Sequence, residues 1–280
     1  MRSGNEFATY EELAHEVLTF GEARKDRTGK GTLSLFGVHL TVDLELGFPV
    51  ITSKKVNYAA VVEELLWFLR GETNINTLKS KIWNEWADKD GSVGPLYGHS
   101  WRHVLNEHGH DQVQAVCRAL KDNPYDRGMI VSAWDVANLH KMKLRPCHAF
   151  WQCYVSRPNH PRPRLDLQLY QRSADVALGV PFNIASYATL QTLLARYIGA
   201  VPGRLLVTYG DVHVYRNHEV ELWNQIRRHQ LTPLPLPSLE LADVPDECPA
   251  TIESCLGLTS ENFKLVDYNP HPAVRFEVAV

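Results

Sequence analysis

Cys147 lies in the run Arg145-Pro146-Cys147-His148, just before the dense apolar stretch Ala149-Phe150-Trp151-Gln152-Cys153-Tyr154-Val155. Further along come Gln171-Arg172-Ser173-Ala174-Asp175 and Gly179-Val180-Pro181-Phe182-Asn183. A free thiol titrates near ~8.5, so it attacks slowly at neutral pH unless positive charge or hydrogen-bond donors favour the thiolate. Arg145, His148 and above all Arg172 are sources of that field. The set suits addition of a thiolate to an electron-poor double bond in a small anionic substrate, which needs a group to absorb the developing charge. A protease-like pair is excluded. Neighbours on a strand point to opposite faces, so Cys147 and His148 would not share a proton.

Three arginines have surroundings that suit a phosphate. Arg27 lies in the glycine-rich basic loop Arg24 to Thr32, Arg127 just before a strand, and Arg172 next to Ser173. Guanidinium forks and a hydroxyl give a phosphate monoester charge-assisted hydrogen bonds. Gly29-Lys30-Gly31-Thr32 lacks the full glycine-to-lysine spacing of a P-loop, so no ATP site is expected. Glu64 falls within an apolar helical pattern; burial there should raise its pKa and suit it to move protons near neutrality. Asn183 carries both a donor and an acceptor and can read one edge of a heterocycle. His213 and Tyr215 alternate onto one strand face and can hold a sugar hydroxyl. Trp83 and Trp86, on one face or turn, offer a flat wall to a ring cofactor.

These groups need a scaffold, and the apolar periodicity outlines one. Helices are predicted over 9–20, 58–69, 111–120, 184–198 and 218–229, where apolar residues recur at helical spacing. Alternation predicts strands separated by a turn within 33–46, and a buried strand over 129–134. It also predicts a long-looped hairpin from 149–155 and 165–170, and two further strands at 205–207 and 212–215. Residues 88–98 read as an irregular connection, 231–239 as extended, and the apolar ending Phe276 to Val280 as a segment that docks. The expected fold is an α+β single domain over 1–280, a mixed or largely antiparallel sheet packed with helices.

Composition agrees with a soluble enzyme. The chain has 280 residues, 44% of them hydrophobic and 22% charged, which is enough for one deep core. A formal charge of -3 gives no global field for nucleic acid, so an anion site must be a local arginine cluster. The five cysteines are irregularly spaced and form no CxxC pair; reduced thiols in a cytoplasmic protein, with no metal, are expected. No signal-like or membrane-spanning run is present, so neither export nor a membrane partner is expected.

Taken together, these stretches resemble the folate-dependent thymidylate synthase family over nearly the whole chain. The resemblance is carried by Asp26-Arg27-Thr28-Gly29, Glu63 to Leu69, Ile82-Trp83, Gly94 to Gly98, Pro146-Cys147-His148, Gln171 to Asp175, Pro181-Phe182-Asn183, Gly210 to Tyr215 and Val278-Ala279-Val280. It implies a sheet-mediated homodimer with shared active sites, in which Cys147 attacks C6 of dUMP. Arg27, Arg172, Ser173 and, from the other subunit, Arg127 are implied as phosphate ligands, Asn183 as the reader of uracil, and His213 and Tyr215 as ligands of the 3'-hydroxyl. Glu64, Tyr97, His148, Asp175 and Asn183 are implied to serve the chemistry beside Cys147. The implied co-substrate is 5,10-methylenetetrahydrofolate, held by Lys54, Ile82, Trp83, Trp86, Leu144, Asp175, Gly179, Phe182 and the terminal Ala279. The implied products are dTMP and dihydrofolate.

The sequence departs from the family pattern near phosphate and folate rather than near the base. Arg127-Gly128 stands where two arginines are usual, Asn84 where aspartate follows Ile-Trp, Arg145 where proline is usual, and Asp135 where asparagine is common. Residues 74–82 are also shorter than in many members. Changes around the folate keep open a deoxyuridylate hydroxymethylase, which would quench the transferred carbon with water. Asn183 argues against cytosine, since an aspartate is expected there in cytosine-specific relatives.

Overall fold

Tyr58 to Leu69 are apolar on every side apart from Glu63 and Glu64, and a helix of that kind can lie only inside the protein. In the computed structural model, which describes residues 5–103 and 110–278, this helix is central and buried. The helices are α1 (Tyr10–Phe20), α2 (Tyr58–Leu69), α3 (Tyr97–Arg102), α4 (Gln112–Asp122), α5 (Gly179–Tyr197) and α6 (Glu219–Leu231). The strands are β1 (Glu6–Phe7), β2 (Glu22–Arg24), β3 (Thr32–Asp43), β4 (Ile130–Ser132), β5 (His148–Ser156), β6 (Arg164–Asp175), β7 (Val201–Tyr215), β8 (Ser238–Leu241) and β9 (Phe263–Val266).

Among the described residues the main sheet has seven strands in the order β1-β3-β7-β6-β5-β4, with β2 also pairing β3. β1 with β3 and β6 with β7 run parallel; the other pairs are antiparallel, so the sheet is mixed and the fold is α+β in a single domain. Its two faces differ. Trp151, Leu169, Val207 and Leu40 lie side by side in register and are buried, as are Cys153, Leu167 and Leu205. α5 packs on this face and α2 packs on α5. The opposite face carries His39, Thr208, Tyr170 and Phe150 in one row and Thr41, Leu206, Gln168, Gln152 and Ile130 in the next. Phe150 and Ile130 are exposed there, and Phe150 stacks on Tyr170 at 5.5 Å.

Four sequence-based boundaries need correction. Residues 33–46 are not two strands. Gly37, at φ +72°, takes a conformation that would strain other residues, and β3 crosses it without losing register. β7 likewise runs unbroken through Gly210, where a Cβ would lie 2.7 Å from the Arg172 carbonyl oxygen. The strand at 129–134 shrinks to Ile130–Ser132 on the sheet edge. α5 starts at Gly179, before the predicted Ile184, because Pro181 sits in the first turn where no intrahelical N–H is required.

Local chemistry then fixes the pieces around Cys147. The buried Arg102 donates from Nε to the Leu69 carbonyl at 2.7 Å, capping α2, and from Nη2 to the Pro249 carbonyl at 2.6 Å. Its Nη1 pairs with Asp111 at 3.0 Å. One side chain thus ties α3 to α2, to the start of α4 and to the segment around Pro249. The segment before the C-terminus docks as expected: Glu277 pairs with Lys30 at 2.8 Å, and Phe276 meets His218 edge-on at 5.1 Å. Ala279 and Val280 lie outside the described residues.

Candidate active site

Cys147 lies just before β5, in a turn held by its neighbours. The Tyr97 hydroxyl accepts from the backbone N–H of Cys147 at 2.8 Å and of His148 at 3.3 Å. Tyr97 also stacks on the His148 ring at 5.1 Å. From β6, Arg172 donates from Nε to the Pro146 carbonyl at 2.8 Å and from Nη2 to the Arg145 carbonyl at 2.7 Å. The same Nη2 is 3.9 Å from Cys147 Sγ. Burial pushes the Cys147 thiol up, while Arg172 and then Arg27 pull it down. The two cations offset desolvation only in part, so the thiol stays above its ordinary value, with Arg172 as the main group favouring the thiolate.

Glu64 and its neighbour Glu63 are both buried, with different partners. Glu63 Oε1 accepts from the Ser260 N–H at 2.9 Å; Glu64 Oε1 accepts from the Trp83 indole N–H at 2.7 Å. Desolvation raises Glu64 to about 7, against a smaller lowering by the Trp83 hydrogen bond. A carboxyl poised there can give or take a proton at neutral pH. His148 is moved the other way: burial lowers it to about 4, so its imidazole is neutral. Tyr97 is raised well above its ordinary value by burial and stays a phenol.

The residues implied to meet the nucleotide line one end of the sheet. His213 Nδ1 is 3.0 Å from Asp211 Oδ1, and Asp211 also accepts from the Ser34 hydroxyl at 2.9 Å. His213 meets Tyr215 edge-on at 5.3 Å. Burial raises Tyr215; Asp175 and Asp26 add to this, and Arg27 opposes it, so this phenol lies within electrostatic reach of the loop carrying Arg27. Register pairs Ser173 with Asp211 and Asp175 with His213. Asn183, in the first turns of α5, accepts at Oδ1 from Gln171 Nε2 at 2.8 Å. Arg127 stands apart. It is exposed near the far end of β5, eight residues along from Cys147, roughly 25 Å of extended strand. Within one chain it cannot join the site.

The residues implied for folate are mostly apolar and incompletely covered. Ile82, Trp86, Leu144 and Phe182 are half-buried, and Trp83 is buried with Trp86 edge-on at 5.7 Å. Asp175 accepts from the Ala177 N–H at 2.8 Å, and Gly179 leaves space beside Asn183 and Asp175. These residues fit a flat heterocycle with polar edges. Lys54 does not lie open to receive an acidic tail. Its ammonium donates to the Ala177 carbonyl and sits 4.7 Å over the Phe276 ring, and burial lowers its pKa to about 8. No helix among the described residues is long and apolar enough to cross a membrane, and they hold no cluster of metal ligands.

Two contributors were missed in the sequence reading. Arg102 looks like one more surface cation until its burial and its three partners are seen. Gln171 belongs to a motif already singled out, yet only its contact with Asn183 gives it a part. A polar residue in an otherwise apolar β6 core row was the available signal.

A cysteine beside a guanidinium, a carboxyl near neutrality and a carboxamide on a rigid helix are groups suited to covalent addition to a small anionic heterocycle. The chain belongs to the thymidylate synthase family, whose model, described as thymidylate synthase, matches residues 8–280. Its members are folate-dependent one-carbon transferases that use methylenetetrahydrofolate and act on C5 of dUMP-type pyrimidine nucleotides. The chain is therefore an enzyme of dUMP C5 one-carbon transfer.

Proposed function

We propose that the chain methylates dUMP to dTMP, oxidising the folate to dihydrofolate, and does so as a homodimer with shared sites. The observation that carries the chemistry is the Arg172 guanidinium, which donates to the carbonyls of Arg145 and Pro146 while its Nη2 lies 3.9 Å from Cys147 Sγ. Its contacts fix the nucleophile and favour the thiolate together. The thiolate adds to C6 of uracil, and the charge that moves to the C4 carbonyl is met by the Asn183 amide. C5 becomes nucleophilic. After the carbon is transferred, the C5 proton must leave, and departure of Cys147 from C6 restores the double bond. Glu64, raised to about 7, serves as the proton relay, with the Tyr97 hydroxyl holding the backbone N–H groups of Cys147 and His148 in place. Methylenetetrahydrofolate, when bound against Ile82, Trp83, Trp86, Leu144, Asp175, Gly179 and Phe182, supplies the carbon and then the hydride.

The open sheet face supports the dimer. Phe150 and Ile130 lie exposed among Tyr170, Leu206 and Thr208 on the side away from the core. Large apolar side chains exposed on a sheet face, here Phe150 and Ile130, suit cover by a partner. A second copy placed there would bring in Arg127 of the partner subunit, which its own site cannot use. Arg27, Arg172 and Ser173 then share the phosphate with it. The cytoplasm, where reduced thiols persist, suits five free cysteines.

A second reading has its own support. Arg145 is exposed two residues before the nucleophile, and Asn84 is exposed beside Trp83. Both differ from the usual family residues where the folate should lie, and a water admitted there would yield 5-hydroxymethyl-dUMP. The test is to incubate the protein with dUMP and methylenetetrahydrofolate and weigh the nucleotide. dTMP with dihydrofolate supports methylation; 5-hydroxymethyl-dUMP with tetrahydrofolate replaces it by hydroxymethylation.

A further inference from the structure

We infer that Gln171 is a positioning residue that sets the preference for uracil over cytosine by fixing the orientation of the Asn183 amide. Three groups settle the polarity in turn. The Ser173 backbone carbonyl can only accept, and Gln171 Nε2 lies 3.3 Å from it. Nε2 also reaches Asn183 Oδ1 at 2.8 Å, donating its other proton there. Oδ1 is the acceptor toward Gln171, so the donor end of the Asn183 amide, Nδ2, is the one left for a ligand.

The cost of this arrangement is visible on Gln171 itself. The side chain is 2% exposed, and its Oε1 is buried with no hydrogen-bond partner. Turning the Gln171 amide over would place Oε1 against the Ser173 carbonyl and against Asn183 Oδ1, setting acceptor against acceptor twice. An orphaned acceptor is the lesser penalty. The Gln171 contact occupies Oδ1 from the protein side and leaves the Nδ2 protons for the ligand.

The consequence is selectivity. Uracil presents a carbonyl oxygen at C4, which the fixed Nδ2 donor can bond. Cytosine presents an amine there, donor facing donor. A free asparagine could rotate its amide and accept the amine; one pinned by Gln171 cannot without breaking the contact to Nε2.

This inference rests on reading Asn183 as the group that meets the base, and the experiment separates the two. Dissociation constants for dUMP and dCMP are measured by titration calorimetry, without folate, for the wild type and for Gln171→Met, with Gln171→Leu as the alternative where Met does not fold. The wild type binds dUMP more tightly. In a variant with a cooperative melting transition, the dUMP-to-dCMP affinity ratio falls roughly tenfold, about one hydrogen bond of discrimination. A purely structural role would weaken both nucleotides together and leave the ratio unchanged, which overturns the inference while the reading of Asn183 stands. A wild type that fails to prefer dUMP overturns both.

Discussion

Replacing Glu64 with glutamine tests the proton relay through stability rather than rate. Burial raises the folded carboxyl from 4.5 to about 7, so the folded chain holds this proton more tightly than the unfolded one. Below pH 4.5 both states are protonated and nothing is lost. As pH rises from there toward 7, the unfolded carboxyl ionises while the folded one does not, and stability falls; above 7 both are ionised and the loss stays constant. A difference of two to three pKa units corresponds to about 3 kcal/mol, most of it appearing between pH 5 and 8. Glu64→Gln keeps the shape and an oxygen for the Trp83 indole N–H but has no charge to bury. Urea unfolding of both proteins at pH 5, 6, 7 and 8 is the assay. The variant should gain on the wild type by about 2–3 kcal/mol across that range while losing turnover. A constant difference between the two proteins at every pH would show that Glu64 is already ionised when folded, and the relay argument would fail.

Removing the charge at Arg172 with Arg172→Met should move the midpoint of Cys147 alkylation to higher pH, because the remaining pull comes from Arg27 alone; an unmoved iodoacetamide profile would deny the guanidinium its part. Tyr97→Phe strips the shared acceptor from two backbone N–H groups. It should cost about 1–3 kcal/mol in urea unfolding and lower turnover more than nucleotide affinity. In the proposed dimer, mixing Arg127→Ala with Cys147→Ser subunits by partial unfolding and reassociation should restore about one quarter of the wild-type sites, since half the dimers are mixed and each has one intact site. No recovery from two inactive parents would place Arg127 outside the partner's site.

The most legible parts were those in which local pattern and burial agree. Tyr58–Leu69 was read to the residue because its apolar character survives on every side, and the β5–β6 hairpin because a dense apolar run and an alternating one flank a polar, proline-rich loop. The glycines misled the reading. Gly37 and Gly210 look like turn signals, yet one absorbs a left-handed conformation inside β3 and the other lets β7 approach the Arg172 carbonyl. At the site, residue types announced a thiol, an anion cradle and a base reader. The hydrogen bonds from Arg172 to Pro146 and Arg145, and the burial of Lys54 over Phe276, depend on long-range packing that no local pattern encodes. Gln171 was legible as part of a motif but not as a donor, because its role exists only once Ser173 and Asn183 are brought to either side of it.

The proposed chemistry requires the sulfur of Cys147 to bond to the pyrimidine ring. A 5-fluoro analogue of dUMP carries fluorine where the departing C5 proton should be, so the adduct formed with methylenetetrahydrofolate should be trapped. Intact-protein mass spectrometry should show the chain heavier by nucleotide plus folate, with the added mass on the peptide containing Cys147 and absent from Cys147→Ser. An unmodified wild-type mass, or the same addition on the serine variant, would contradict it.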